Sequence, residues 1–223
     1  MVRLPLPQFS GRDRPAHHIA EVIETATTEF LAQCLEPEDL RFPIMPPFGS
    51  WVRAADEESG NQIYGVIYHA TTSPIDSVHR ARALGLSLAE LREEQPQIFA
   101  MLKTEFRAAI VGFETPAPAP GSGPASAIYH YLPPRPPQVH QGVYGCTPGE
   151  VLRFTERFDF LRTLLELGAA PVDSLVAATL REVYALRKAD RPWLVQAGRT
   201  LGLLLKDDYD RLRLILGQVQ ITE

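Results

Sequence analysis

The chain has 223 residues, of which 45% are apolar and 22% charged, and it carries a net charge of −5. This composition is typical of a globular protein, and the acidic balance argues against a dedicated nucleic-acid binder, which usually has a basic face. Apolar runs such as 108–113 and 201–205 are too short to cross a bilayer, and the first nine residues lack the apolar stretch of a signal peptide. We therefore expect a cytoplasmic protein with no membrane span.

Residues 19–35 can be interpreted in two ways. The spacing of their apolar residues fits one face of an amphipathic helix, made up of Ile19, Val22, Ile23, Ala26, Phe30, Leu31 and Cys34. Within this segment, however, residues 25–28 read T-A-T-T, which is poor helix sequence and good turn or strand sequence. The residues themselves leave a helix and a β-hairpin both open.

Strand signals become clearer after residue 48. The pair Gly49-Ser50 predicts a tight turn into a strand that starts at Trp51, and the turn-rich residues 56–61 precede a second strand at 62–68. Two strand-like runs around a glycine-containing connection are typical of a hairpin. The default role of its aromatic residues is core or cross-strand packing, which applies to Trp51, Tyr64 and Tyr68.

A helical insertion is predicted at residues 78–105. Ser87 and Glu90 have the spacing of a capping box, and Pro96 fits the first turn of a following helix. Residues 106–113 are strand-like. The proline- and glycine-rich tract at 116–126 is typical of a flexible surface loop.

The distribution of prolines predicts a domain boundary between residues 147 and 148. Eighteen of the 20 prolines lie in residues 1–149, so a strand-and-loop domain is predicted at 1–147 and a helical domain at 148–223. Thr147 and Glu150 form a second capping-box pair around Pro148, and Gly168 provides a stop. We predict a compact bundle of four helices that begin near residues 148, 172, 190 and 207.

Three sequence segments occur in a recognisable order. They are P-P-F-G-S-W-V-R (46–53), N-Q-I-Y-G-V-I-Y (61–68) and Y-L-P-P-R-P-P-Q-V-H-Q-G-V-Y (131–144), preceded by I-A-E-V-I-E-T-A-T-T-E-F (19–30). Together they resemble the HAS-barrel, the small β-barrel of HerA-type ATPases and of rotary ATP synthase subunits. The resemblance implies a hairpin with strands near 19–25 and 29–35, and thus an α+β protein. Its parts would be a small barrel with a helical insertion and a C-terminal bundle.

The chain departs from HerA-type proteins because the ATPase motor is missing. A phosphate-binding loop needs a lysine after a glycine, and none of the three lysines, Lys103, Lys188 and Lys206, follows one. No G-x-G-x-x-G motif occurs either. We therefore expect a protein that is not an enzyme and binds no cofactor.

Histidine and cysteine suggest no site by their spacing. The six histidines lack the H-x-x-x-H or H-x-H spacing of metal ligands, and no C-x-x-C is present, so no metal site is expected. The two cysteines, Cys34 and Cys146, are expected to be reduced thiols. An enzyme with an unrecognised site near His140 and Cys146, at the barrel–bundle junction, remains an alternative.

The resemblance implies a docking role, because HAS-barrels pack side by side in ring crowns and offer a surface to partners. We expect a protein partner, either a ring ATPase or an associated nuclease of the NurA kind, and a homo-oligomer is a further expectation. The candidate interface residues are Trp51, Arg53, Arg80, Arg82 and Arg135. Arg135 lies in P-P-R-P-P (133–137), which fits either a proline-pinned connection or a polyproline ligand. A barrel that binds single-stranded nucleic acid is the main alternative.

Overall fold

Six antiparallel strands form a closed barrel in this protein. The computed structural model describes residue 15 and residues 17–36, 45–75, 83–117, 126–168 and 170–219. The strands are β1 (His18–Thr25), β2 (Glu29–Cys34), β3 (Trp51–Ala55), β4 (Gln62–Pro74), β5 (Leu102–Glu114), β6 (Ile128–Tyr129) and β7 (Gly142–Gly145). Around the barrel the order is β1-β2-β5-β4-β3-β7, and β7 returns to β1. Among the described strands, β6 pairs with β5 alone and lies beside the ring.

The first segment is a hairpin, as the resemblance implied, and the helical alternative is wrong. Strands β1 and β2 pair from Ala20↔Cys34 to Thr25↔Phe30, and Ala26 N donates to Glu29 O across the turn. Ala20 and Val22 point into the barrel. The T-A-T-T segment forms the end of β1 and the turn, because threonine favours extended backbone.

Strands β4 and β5 are longer than the sequence indicated, so the predicted insertion boundary is wrong. β4 continues to Pro74, and β5 begins at Leu102, so residues 102–105 are strand and not helix. The insertion contains α1 (Leu88–Glu94), with the predicted Ser87–Glu90 capping box, and α2 (Gln97–Ala100). Its residues 78–82 lie outside the described part of the chain, as does most of the 116–126 loop.

The C-terminal part is helical, but its described residues, 148–168 and 170–219, form five helices rather than four. They are α3 (Pro148–Phe154), α4 (Phe160–Leu165), α5 (Val172–Leu186), α6 (Arg191–Leu204) and α7 (Tyr209–Val219). The predicted first helix divides after Phe154, because other side chains occupy the carbonyls that would continue it. Trp193 Nε1 donates to Thr155 O at 2.9 Å, Arg187 donates to Leu152 O at 2.8 Å, and His130 Nε2 lies 2.9 Å from Phe154 O.

The buried apolar side chains of the described residues form two hydrophobic cores. The first fills the barrel and consists of inward side chains such as Val52, Ile63, Ile67 and Phe106. The second joins the outer face of β3, β4 and β5 to the helices, and it includes Tyr64, Val66, Val111 and most buried residues of α3–α7. Alternation along β3, β4 and β5 divides their side chains between the two cores. This explains why 62–68 is a nearly continuous apolar run.

None of the helices in the described residues is long and apolar enough to cross a bilayer. Both cysteines, Cys34 and Cys146, are free thiols, as expected.

Candidate docking surface

The predicted interface residue Trp51 lies between the barrel and the bundle. Only 3% of its surface is exposed, and its ring centre is 5.5 Å from those of both Phe154 and Phe160. Gly49, at φ +87°, brings the backbone before Trp51 close to α5, where a Cβ would approach Ala178 Cβ to 2.9 Å. A partner could reach Trp51 only if the bundle moved away.

A buried carboxylate links the barrel to α3. Glu114 of β5 accepts hydrogen bonds from Tyr64 Oη at 2.9 Å, Ser126 Oγ at 2.8 Å and Arg153 Nη2 at 2.6 Å. Burial acts to raise the pKa of Glu114, but these three donors outweigh it, so the pKa lies below its usual range. For Tyr64, burial and then the Glu114 charge raise the pKa of the phenol. The network therefore holds an ionised carboxylate and a neutral tyrosine at the barrel–bundle contact.

Arg53, another predicted interface residue, binds groups of its own chain. Its Nε lies 2.7 Å from Glu150 Oε1 at the start of α3, and its Nη1 donates to Gln62 Oε1 at 3.1 Å. The guanidinium also sits 5.1 Å from the centre of the Tyr144 ring. Arg53 thus connects β3 to α3 and is only partly exposed.

Arg135 fits the proline-pinned connection better than the polyproline ligand. Its guanidinium forms an ion pair with Glu58 and lies 3.8 Å from Asp56 Oδ2. Asp56 accepts hydrogen bonds at 2.5 Å from both Ser59 Oγ and Gln138 Nε2. Burial acts to raise the pKa of Asp56, but these donors and the charge of Arg135 lower it overall. The β3–β4 turn and the proline segment are therefore tied together, with the Arg135 charge partly neutralised.

Arg80 and Arg82, the remaining predicted interface residues, lie outside the described residues. Arg53 and Arg135 both have carboxylate partners, so they contribute little of the basic surface that the nucleic-acid alternative needs.

The His140–Cys146 pair gains no support from its geometry. The described hydrogen bonds include none between the two side chains, and His140 is exposed at a positive φ of 70°. Burial is the main cause that raises the pKa of the Cys146 thiol, with the Glu150 charge adding to it. A raised thiol pKa disfavours the thiolate that a nucleophile requires. Among the described residues, no group of three or more His, Cys, Asp or Glu side chains could hold a metal.

Glu182 of α5 is a carboxyl with a raised pKa close to the barrel–bundle junction. It is half-buried near Cys146, whose pKa its charge raises. Burial raises the pKa of Glu182 to about 7. The residue carries no pattern signal in the sequence, since a single glutamate on a predicted helix is usually a solvated side chain.

The barrel carries an apolar groove that the sequence patterns did not predict. It has a volume of about 270 Å³ and is lined by Met45, Pro46, Phe48, Ile67, Tyr68, His69 and Ala70. Met45 is 48% exposed and Phe48 is 42% exposed, although both are large and apolar. The available signal was an apolar run at 44–48 in which two prolines prevent a regular strand. We call these seven residues the apolar groove.

Comparison with known proteins identifies the barrel. The family model of the HAS barrel domain matches residues 19–115, which confirms the resemblance for this part of the chain. The match ends before β7, yet Val143 and its neighbours in β7 pair with both β1 and β3 and close the barrel. No curated protein matches the chain.

Proposed function

We propose that this protein is a non-catalytic docking or assembly subunit that binds a protein partner through the apolar groove. The observation that carries this proposal is the exposure of Met45 and Phe48 at the edge of a concave apolar surface next to β4. Clustered exposed apolar side chains commonly mark interaction sites. Methionine and aromatic residues are enriched at the centres of such interfaces.

A polar rim beside the groove supports the same role. Tyr68 lines the groove, and its hydroxyl donates to Glu29, whose other oxygen accepts from Arg107 Nη1 at 2.8 Å. Burial, together with the hydrogen bond to Glu29, raises the pKa of Tyr68 to about 12, so the hydroxyl keeps its proton. An apolar centre next to a polar, hydrogen-bonded rim is the usual anatomy of a protein interface.

The likeness to HerA-type barrels suggests the class of partner. In HerA-type systems the barrel carries no chemistry and serves as a contact surface for a NurA-type nuclease. We therefore propose a ring ATPase or an associated nuclease as the protein bound in the groove, which would place the function in DNA-end processing. A partner from the rotary-synthase side would place it in bioenergetics instead.

Affinity capture with matched variants tests the docking role. The tagged protein is recovered from native lysate with and without nuclease treatment, and bound proteins are identified by mass spectrometry. The groove variant carries Met45→Asp and Phe48→Asp, and the control carries Leu214→Asp on an exposed position of α7. We expect one stoichiometric, nuclease-resistant partner with the wild type and the control, and none with the groove variant. Recovery of the protein alone, or equal recovery by all three forms, would contradict the proposal.

A further inference from the structure

The outer side of the α6–α7 pair places two arginines among apolar side chains. The helices pack closely at two glycines, since a Cβ at Gly198 would lie 3.7 Å from Leu216 Cδ2 and one at Gly202 would lie 3.9 Å from Leu212 Cδ2. Helical spacing then puts one row of each helix on the outer side of this contact. We call these six residues the arginine face: Val195, Arg199, Leu203, Tyr209, Arg213 and Leu216.

The arginine face has exposed apolar groups and no described counter-charge. Leu203 is 77% exposed and Tyr209 is 73% exposed. Neither Arg199 nor Arg213 has a hydrogen bond or ion pair with any residue that the structure describes. By contrast, Arg211, which is also in α7, forms an ion pair in which its Nε lies 2.5 Å from Asp173 Oδ1. Two unpaired guanidinium groups flanked by exposed apolar side chains are suited to an acidic and partly apolar partner surface.

A surface of that kind lies on the barrel, in strand β1. Ile23 is 38% exposed and stands between the exposed carboxylates of Glu21 and Glu24. Among the described residues, Glu21 has no hydrogen-bond or ion-pair partner. Glu24 has one ion-pair partner there, Arg107, whose Nη2 lies 3.6 Å from Glu24 Oε2. We call these three residues the acidic face. Strand β1 pairs with β2 and β7, whereas the bundle covers the outer face of β3, β4 and β5.

We propose that the arginine face of one copy binds the acidic face of a second copy. Each face combines exposed apolar side chains with two charges, and the charges on the two faces are opposite. Because the faces differ, the contact is head-to-tail, and repeating it builds a closed ring or a filament. The inference does not depend on the proposed docking role, since none of these residues lines the apolar groove.

The composition of the arginine face favours a second copy of the chain, rather than a nucleic acid, as its binding partner. Binding to nucleic acid normally uses many phosphate contacts, and this face provides two cations among four apolar side chains. The charge distribution agrees with self-association. Residues 1–149 contain 11 basic and 16 acidic side chains, while residues 150–223 contain 11 of each. The net negative charge therefore lies in the part of the chain that forms the barrel.

A charge-swap experiment tests this contact. Molar mass is measured by sedimentation over a range of concentrations at low and high ionic strength. Variant A carries Arg199→Glu and Arg213→Glu, and variant B carries Glu21→Arg and Glu24→Arg. All four positions are at the surface, so circular dichroism should show the native fold in both. The control is Arg162→Glu, on an exposed position of α4.

We expect the wild type and the control to self-associate more strongly at low salt. For each variant alone, the dissociation constant of self-association should rise about tenfold or more, because like charges then meet at the contact. A mixture of A and B should assemble again, since the acidic bundle of A matches the basic barrel of B. A monomeric wild type, oligomers unaffected by either variant, or a mixture that does not assemble would each overturn the proposal. Binding of single-stranded DNA that variant A abolishes, without self-association, would assign the face to nucleic acid instead.

Discussion

Gly112 of β5 lies directly against Phe154 of α3, with no room for a side chain between them. A Cβ at Gly112 would stand 2.9 Å from Cζ of Phe154 and 2.2 Å from the backbone oxygen of Tyr129. The aromatic ring therefore packs on the bare backbone of the barrel. This contact sets how closely the bundle approaches β5.

We predict that Gly112→Ala is strongly destabilising. The clash involves a backbone oxygen, which cannot rotate aside as a flexible side chain can, so the free energy of unfolding should fall by about 2–3 kcal/mol. Urea unfolding measures the change. Gly145→Ala in β7 is the matched control, because a Cβ there meets nothing within 4 Å. Equal stability of the two variants would contradict the close approach of Tyr129 and Phe154 to Gly112.

The buried carboxylate network predicts the effect of Glu114→Gln. The variant weakens the bonds from Tyr64, Ser126 and Arg153, so at pH 7 the free energy of unfolding should fall by about 2 kcal/mol. The pKa of Glu114 is depressed in the folded protein. The stability from its ionised form is therefore present above the unfolded pKa of about 4.3 and is lost as the pH falls through the folded pKa.

Urea unfolding of the wild type and Glu114→Gln at several pH values checks this prediction. The difference between the two proteins should be greatest at neutral pH and should shrink below about pH 4. A difference that does not change with pH would mean that the Glu114 charge adds nothing to the barrel–bundle contact.

The raised pKa of Glu182 predicts that stability depends on pH in the opposite direction. Its pKa of about 7 is raised above the unfolded value, so the stability linked to its protonated form is complete at low pH and is lost as the pH rises through 7. Glu182→Gln removes the buried charge. After allowance for solvent screening of this half-buried group, the variant should be more stable than the wild type by about 1–2 kcal/mol at pH 8, with little difference near pH 4.

Thermal or urea unfolding across this pH range checks the effect. Glu156→Gln, at an exposed position after α3, is the control and should show no such trend. If the gain in the free energy of unfolding of Glu182→Gln over the wild type grew toward low pH, the predicted direction of the pH dependence would be wrong.

The fold was largely predictable because turn and capping signals act locally. The capping boxes at Ser87 and Thr147 and the turn at Gly49 lie where the sequence placed them. The break after Phe154 was not predictable, because it depends on side chains from other elements, among them Arg187 and Trp193. The hairpin at 19–35 was resolved by the family resemblance, since apolar spacing alone allowed a helix.

The site was less predictable than the fold, because exposure depends on how the two parts of the chain pack. Trp51 was a candidate interface residue, but the bundle covers it. Phe48, three residues earlier, was not a candidate and is exposed in the apolar groove. The aromatic content of 46–53 is visible in the sequence, but the side of the barrel that the helices occupy is not.

Site-specific photo-crosslinking tests the docking role most directly. A photoreactive phenylalanine analogue replaces Phe48 in the apolar groove, and in a matched control it replaces Leu214, which is 53% exposed on α7. After irradiation in native lysate, we expect the Phe48 position to yield one specific adduct with a second protein and the Leu214 position to yield none. The same adducts from both positions, or no adduct from Phe48, would contradict a docking function for the groove.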